Sequence, residues 1–302
     1  MNTACPFPIK CLGDVEKIDI TKIPHISCGI KSLDRVIKGL FESQLIVVTG
    51  ERGQGKSTLA SWILANALDQ GRNVFAYSGE LPDYHFRSWL DFQIAGAQNI
   101  ETTYNEWNDA DYSLKDKAAQ KLSEFYHGRA YIYDNTAVCK GKLQDTLLGS
   151  IRYAADNLNC SVFLIDNIMT AVDMLNDDAY AIQSAFVKSL KAVAAEKKAM
   201  IILIAHPRKT ERGKAIENND VSGSADITNL ADTVLTYSRI TKDGSEYDSE
   251  IQVTKNRLTG KLATKEHSIK VHYSEKTKRI FSDDDKNMNV SMCCFKTDFI
   301  PF

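Results

Sequence analysis

Long apolar runs are missing from this sequence: none approaches the ~18 to 20 residues that a membrane-spanning helix needs. A surplus of either charge is missing as well. Thirty-seven Lys and Arg stand against 39 Asp and Glu, a formal charge of −2, so a polyanion must be gripped by local features rather than by a global positive field. Paired cysteine spacing is absent too. The seven cysteines (5, 11, 28, 139, 160, 293 and 294) include no CxxC, which predicts reduced thiols. The trio Cys5, Cys11 and Cys28 lacks the two close pairs of a zinc knuckle. The first residues show no basic, apolar and small-residue regions of a signal peptide, and Asp14 and Glu16 argue against an Arg-rich transit peptide. A cytoplasmic chain without a membrane partner is expected. What is present is ordinary globular composition, 302 residues with 43% apolar and 25% charged positions, enough to bury a sizeable core.

From Leu45 onward, short apolar runs alternate with longer helical stretches. The runs are LIVVT (45–49), NVFAYS (73–78), AYIYD (130–134), SVFLID (161–166) and MIILIA (200–205), nearly continuous in apolar residues as strands buried on both faces should be. Helices are predicted near 57–70, 83–97, 111–126, 142–157 and 178–197. The pattern predicts an α/β fold with a mostly parallel sheet flanked by helices. Further on, TVLTYSR, EIQVTKNR, HSIKVHY and KRIFS are separated by turn residues such as Asp243-Gly244 and Thr259-Gly260, which predicts antiparallel strands added at the C-terminal end. Residues 1–26 read as an arm or linker, 27–282 as one domain and 283–302 as a flexible tail.

The strongest motif is Gly50-Glu51-Arg52-Gly53-Gln54-Gly55-Lys56-Ser57, a GxxxxGK[ST] loop that follows a predicted strand and opens a predicted helix. Its backbone N–H groups can turn inward around a phosphate where a Cβ would block the approach. Lys56 brings a point charge, Ser57 a hydroxyl for Mg²⁺, and the following helix its positive end, with Thr58 next in line. Asp166 closes an apolar strand run on one carboxylate, where a metal-organising acid belongs beside such a loop. Glu80 ends another strand run at the edge where open α/β sheets bind ligands, placed to deprotonate an attacking water. His206 follows MIILIA at a third strand tip and precedes a polar loop of about fifteen residues, long enough to suggest a functional segment.

Taken together, GERGQGKST, YSGELP, FLIDN, ILIAHPRK followed by SGSADITNLADTV, and VTKNRLTG resemble in order and spacing the ring-shaped replicative helicases with a RecA-like core. That family includes bacterial DnaB, the mitochondrial helicase twinkle and the helicase half of phage primase-helicases. The resemblance covers about 26–282 and implies a RecA-like P-loop NTPase core. By this likeness Gly50 to Thr58 hold ATP or another nucleoside triphosphate, Ser57 and Asp166 place Mg²⁺, and Glu80 is the base. His206 senses the γ phosphate. Arg257, with Lys255 beside it, reaches into a neighbouring subunit's site, and Arg239 and Tyr273 flank the base. Arg208, Lys209, Arg212, Lys214 and Gly223 would contact DNA, while the more acidic segment at 169–180 would form a second channel loop. Asn229 stands where relatives often carry a glutamine near the γ phosphate.

The resemblance further implies a homo-oligomer, a hexameric ring on single-stranded or forked DNA. The 44 residues before the phosphate strand cannot hold a primase half, so priming would fall to another chain or not occur at all. The final KTDFIPF is similar to acidic-aromatic tips that dock on replication partners such as a primase or polymerase. Two other readings of the same core stay open: a recombination or repair ATPase forming filaments on DNA, and a signalling ring ATPase that binds proteins.

Overall fold

Two-residue alternation within the central strands decides the layering. In the computed structural model, Ile46, Val48, Val74, Ala76, Val162, Leu164, Ile202 and Ile204 are buried on one face of the sheet. Their neighbours Leu45, Val47, Phe75, Tyr77, Phe163, Ile165, Ile201 and Leu203 are buried on the other. Successive side chains of a strand point to opposite faces, so a run that is apolar at every position needs cover on both. The structure describes residues 9–19, 22–137, 141–172, 179–206, 226–241, 244–285 and 291–296.

In chain order, β1 (His25–Ile26) pairs with β2 (Leu40–Phe41) around α1 (Lys31–Ile37). Then come β3 (Leu45–Thr49), α2 (Lys56–Asp69), β4 (Asn73–Ser78) and α3 (Asp83–Ala95). A hairpin of β5 (Ile100–Tyr104) and β6 (Ala110–Leu114) leads to α4 (Asp116–Tyr126) and β7 (Ala130–Ile132). Next are α5 (Leu143–Asn157), β8 (Cys160–Asp166), α6 (Ile168–Ala171), α7 (Ala179–Glu196), β9 (Met200–Ala205) and α8 (Asp226–Leu230). Strands β10 (Thr233–Arg239), β11 (Ser249–Asn256), β12 (Ile269–Ser274) and β13 (Arg279–Phe281) complete a nine-stranded sheet. Its order is β13-β12-β11-β10-β3-β9-β8-β4-β7.

The predicted α/β architecture is present, with three local differences. Strand β10 runs parallel to β3, with Val234 opposite Val47, and the antiparallel region begins only at β11. The helix predicted from 111 starts at Asp116, because the preceding Asp111-Tyr112-Ser113 stretch pairs with Thr103-Thr102-Glu101 as a hairpin. Its polar alternation reads equally as loop or helix without the partner strand. The third difference concerns the stretch beyond residue 282, expected as a flexible tail. Asp284 takes a hydrogen bond from Ser32 and an ion pair from Arg35. Met292 and Cys294 are buried in the α2, α3 core layer, and Ser291 donates to the Ala95 carbonyl at 2.7 Å. Two apolar side chains in a short polar stretch suffice to seat it. The final residues 297–302 lie outside those described.

Candidate functional site

The loop between β3 and α2 is wound tightly against β10. A Cβ on Gly50 would stand 2.1 Å from the Tyr237 carbonyl oxygen, and Gly55 adopts φ +103° as it opens α2, a conformation that L residues rarely accept. Lys56 is 5% exposed and donates from Nζ to the Glu51 carbonyl at 2.7 Å. Burial pulls its pKa down to about 8, although Asp166 and Glu80 act in the opposite direction.

Strand tips bring the acids to the same place. Asp166, at the end of β8, accepts a hydrogen bond from the Ser57 hydroxyl, and burial pushes its carboxyl up to about 6 with Glu80 adding to the effect. Glu80 follows β4, whose tip is pinned to β8 by Gly79 N–H donating to the Asp166 carbonyl at 2.7 Å. His206, after β9, places Nε2 3.4 Å from Glu80 Oε1. Burial holds its pKa below the ordinary imidazole value, with Lys56 adding to that. These groups line one cavity of about 490 Å³.

A second cavity of about 620 Å³ is lined by Gln54, Trp89, Tyr237, Arg239, Tyr247 and Tyr273. Arg239 is anchored by its backbone N–H donating to Gln54 Oε1 at 2.6 Å. Burial pushes the Tyr273 phenol up to about 12, so it stays neutral. Trp89 of α3 borders both cavities, and its indole Nε1 is buried without a hydrogen-bond partner among the described residues.

These residues fit a nucleoside triphosphate with Mg²⁺. Gly50 lets the loop pack on the Tyr237 backbone where a Cβ would collide, and the buried Thr49 hydroxyl at its root has no partner among the described residues. Ser57 and Asp166 present hard oxygen donors. No group of three His, Cys, Asp or Glu side chains placed to hold a metal occurs among the described residues.

Arg257 and Lys255 are not beside that cavity. They lie at the opposite edge of the sheet, where the Arg257 N–H donates to the Asp232 carbonyl at 2.8 Å and Asp232 N–H to the carbonyl of Leu45 at the start of β3. Lys255 donates from Nζ to the Thr228 and Asn229 carbonyls at 2.6 and 2.9 Å, and the Arg257 guanidinium also donates to the Asn229 carbonyl. Asn229 therefore sits at this far edge too, beside Lys255 and Arg257 and away from its own chain's GxxxxGK[ST] loop. Arg208, Lys209, Arg212, Lys214 and Gly223 lie outside the described residues, as does 173–178 within the 169–180 segment.

The profile of the DnaB-like helicase C terminal domain matches residues 25–282. The chain belongs to that family. Among relatives of this DnaB-like chain, the DNA helicase/primase of Enterobacteria phage T3 is 26% identical over 254 residues, 77% of this chain and 42% of that protein. The replicative DNA helicase DnaB of Pasteurella multocida (strain Pm70) is 25% identical over 244 residues, 76% of this chain and 50% of that protein. The chain thus spans about half the length of these curated relatives. A solved DnaB-like replicative helicase, described with its interactions with primase, superposes with a TM-score of 0.67 at 17% identity, covering 86% of this chain and 63% of that one. That is a likeness of fold.

Sequence reasoning misses two residues of this DnaB-like site. Asn167 sits within FLIDN with no role evident from the motif, yet its side-chain amide donates to Glu80 Oε1 at 2.5 Å and approaches His206 Nε2 at 3.1 Å. Its one signal is adjacency to a strand-end Asp. Trp89 carries no sequence signal, since an aromatic on an amphipathic helix reads as core.

Proposed function

We propose that this chain is an ATP-driven, Mg²⁺-dependent motor that assembles as a ring, a hexamer, translocates on single-stranded DNA and unwinds duplex. The observation that carries this reading is the division of the chemical groups between two edges of one sheet. Lys56, Ser57, Asp166, Glu80 and His206 gather at one edge, while Lys255 and Arg257 stand at the other, beside Asp232. A cation so placed serves a site on another molecule, as an arginine finger supplied in trans does.

When bound, the triphosphate supplies a cleavable γ phosphate and the free energy of its hydrolysis. The loop N–H groups and Lys56 hold its charge, and Ser57 and Asp166 would hold the metal. Glu80 accepts a proton from the attacking water. His206, beside Glu80, passes the change to the basic loop that follows it, where Arg208, Lys209, Arg212, Lys214 and Gly223 grip DNA phosphates. Arg239 and Tyr273 flank the base, a role suited to a flat cation and a ring. The last residues, KTDFIPF, offer a docking tip for a separate primase, polymerase or other replication protein in the cytoplasm.

The deciding experiment measures ATP hydrolysis with and without single-stranded DNA, and strand separation on a forked duplex. Hydrolysis stimulated by DNA together with unwinding is expected. DNA binding without unwinding points instead to a filament-forming repair ATPase. Hydrolysis indifferent to DNA points to a ring that binds proteins.

A further inference from the structure

Asn167 is fully buried, and the orientation of its amide is determined by its surroundings. Its Oδ1 accepts hydrogen bonds from the backbone N–H of Met169 at 2.8 Å and of Thr170 at 3.3 Å, capping α6. The NH₂ end must therefore face the other way, toward Glu80 and His206. One of its two hydrogens goes to Glu80 Oε1 at 2.5 Å. The other is within reach of His206 Nε2, 3.1 Å away, an arrangement that favours Nε2 as the acceptor and the imidazole proton on Nδ1, a nitrogen buried without a partner among the described residues.

We propose that Asn167 is a positioning residue whose amide sets the direction of the Glu80 carboxylate and the tautomer of His206 together. The proposal rests on the reading of Glu80 and His206 given above. Asn167 touches neither phosphate nor water in this scheme and acts through the two groups it holds. Its anchor is independent of them. Thr170 Oγ1 donates to the Asn167 carbonyl at 3.0 Å, the Tyr77 hydroxyl donates to the Thr170 carbonyl at 2.8 Å, and Gly79 packs so closely on Thr170 that a Cβ would come within 2.0 Å of its Oγ1. The amide is thus fastened to the tip of β4 and to the first turn of α6. A shift of α6 would move the donor shared by Glu80 and His206.

The test uses Asn167→Ser in the full chain. Serine is a good helix N-cap but is too short to present an amide to Glu80 and His206. In the nucleotide-free protein, ¹⁵N chemical shifts of the His206 ring are expected to report the Nδ1–H tautomer, and to move toward Nε2–H in Asn167→Ser. The same variant is expected to lose kcat for ATP by about 10-fold to 100-fold, the usual cost of removing an orienting partner, with KM little changed. Asn167→Thr also offers a hydroxyl cap to α6 and also lacks the amide donor, so it provides the same two readouts if the serine variant does not fold. Wild-type His206 nitrogen shifts in either variant, or an undiminished kcat, overturn the proposal. Glu80→Gln separates the two possible failures: full hydrolysis by that variant overturns the functional reading, whereas lost hydrolysis beside an unresponsive Asn167→Ser overturns only the role given to Asn167.

Discussion

Lys56 and Arg257 stand at opposite edges of the same sheet. Lys56 opens α2 beyond the last residue of β3, while Arg257 is bonded to Asp232, which in turn is bonded to Leu45, the first residue of β3. Five strand residues, four steps of ~3.3 Å each, separate the two ends of the β3 backbone by roughly 13 Å. Catalysis that needs both must draw them from two molecules.

Mixing variants tests that separation. Lys56→Ala and Arg257→Ala are each expected to lose DNA-stimulated hydrolysis, by about 10³-fold or more if Arg257 acts as trans-acting arginines do elsewhere. Mixed assemblies should regain part of the rate, because some interfaces then pair an intact phosphate loop with an intact arginine. A mixture as inactive as its components would mean that the two residues serve one chain.

Lys56 also predicts a pH dependence. Burial lowers its pKa to about 8 from an ordinary 10.5, so the free site is mostly charged at pH 7 and mostly neutral at pH 9. Phosphate binding needs the ammonium, and affinity should therefore weaken as pH rises through 8, roughly tenfold between pH 7 and 9, with a proton taken up on binding. For folding the sign is opposite. The unfolded chain binds more protons than the native one between about 8 and 10.5, so the contribution of Lys56 to stability rises with pH across that window. Equilibrium titration of nucleotide at several pH values checks the first statement.

Trp89 borders both cavities and offers a direct optical readout. In a Trp107→Phe background, which removes an exposed indole, nucleotide binding is expected to change the remaining fluorescence. Trp89→Phe should abolish most of that change, since Trp62 is buried against Arg279. A response that survives Trp89→Phe would place the nucleotide elsewhere.

The docked C-terminal stretch makes a prediction about stability rather than chemistry. Met292 is 6% exposed within the core layer, and Met292→Ala is expected to cost about 2 to 5 kcal/mol, the range for truncating a buried methionine. Chemical denaturation of the two proteins measures it. A loss below about 0.5 kcal/mol, the scale of a surface change, would show that this stretch is not seated.

Much of the proposed site is legible in the sequence because its residues lie in short local patterns. The glycines of 50–55 and the cation after them must be contiguous, and carboxylates at the ends of apolar runs fall at one sheet edge once the strands are parallel. Asn167 and Trp89 are hidden for the opposite reason. An amide beside a strand-end acid and an indole on a helix acquire meaning only from groups distant in the chain, Glu80 and His206 for the first and the Arg239 cavity for the second.

By itself, the sequence determined the buried strands, the phosphate loop and the tips that carry Asp166, Glu80 and His206, since periodicity and motif spacing are local properties. Tertiary structure decided the parallel placement of β10, the seating of Met292 and Cys294, the far-edge position of Arg257 and Asn229, and the amide bridge from Asn167. Each of these depends on which segments lie side by side, and strand pairing and side-chain packing are settled by contacts between residues far apart in the chain.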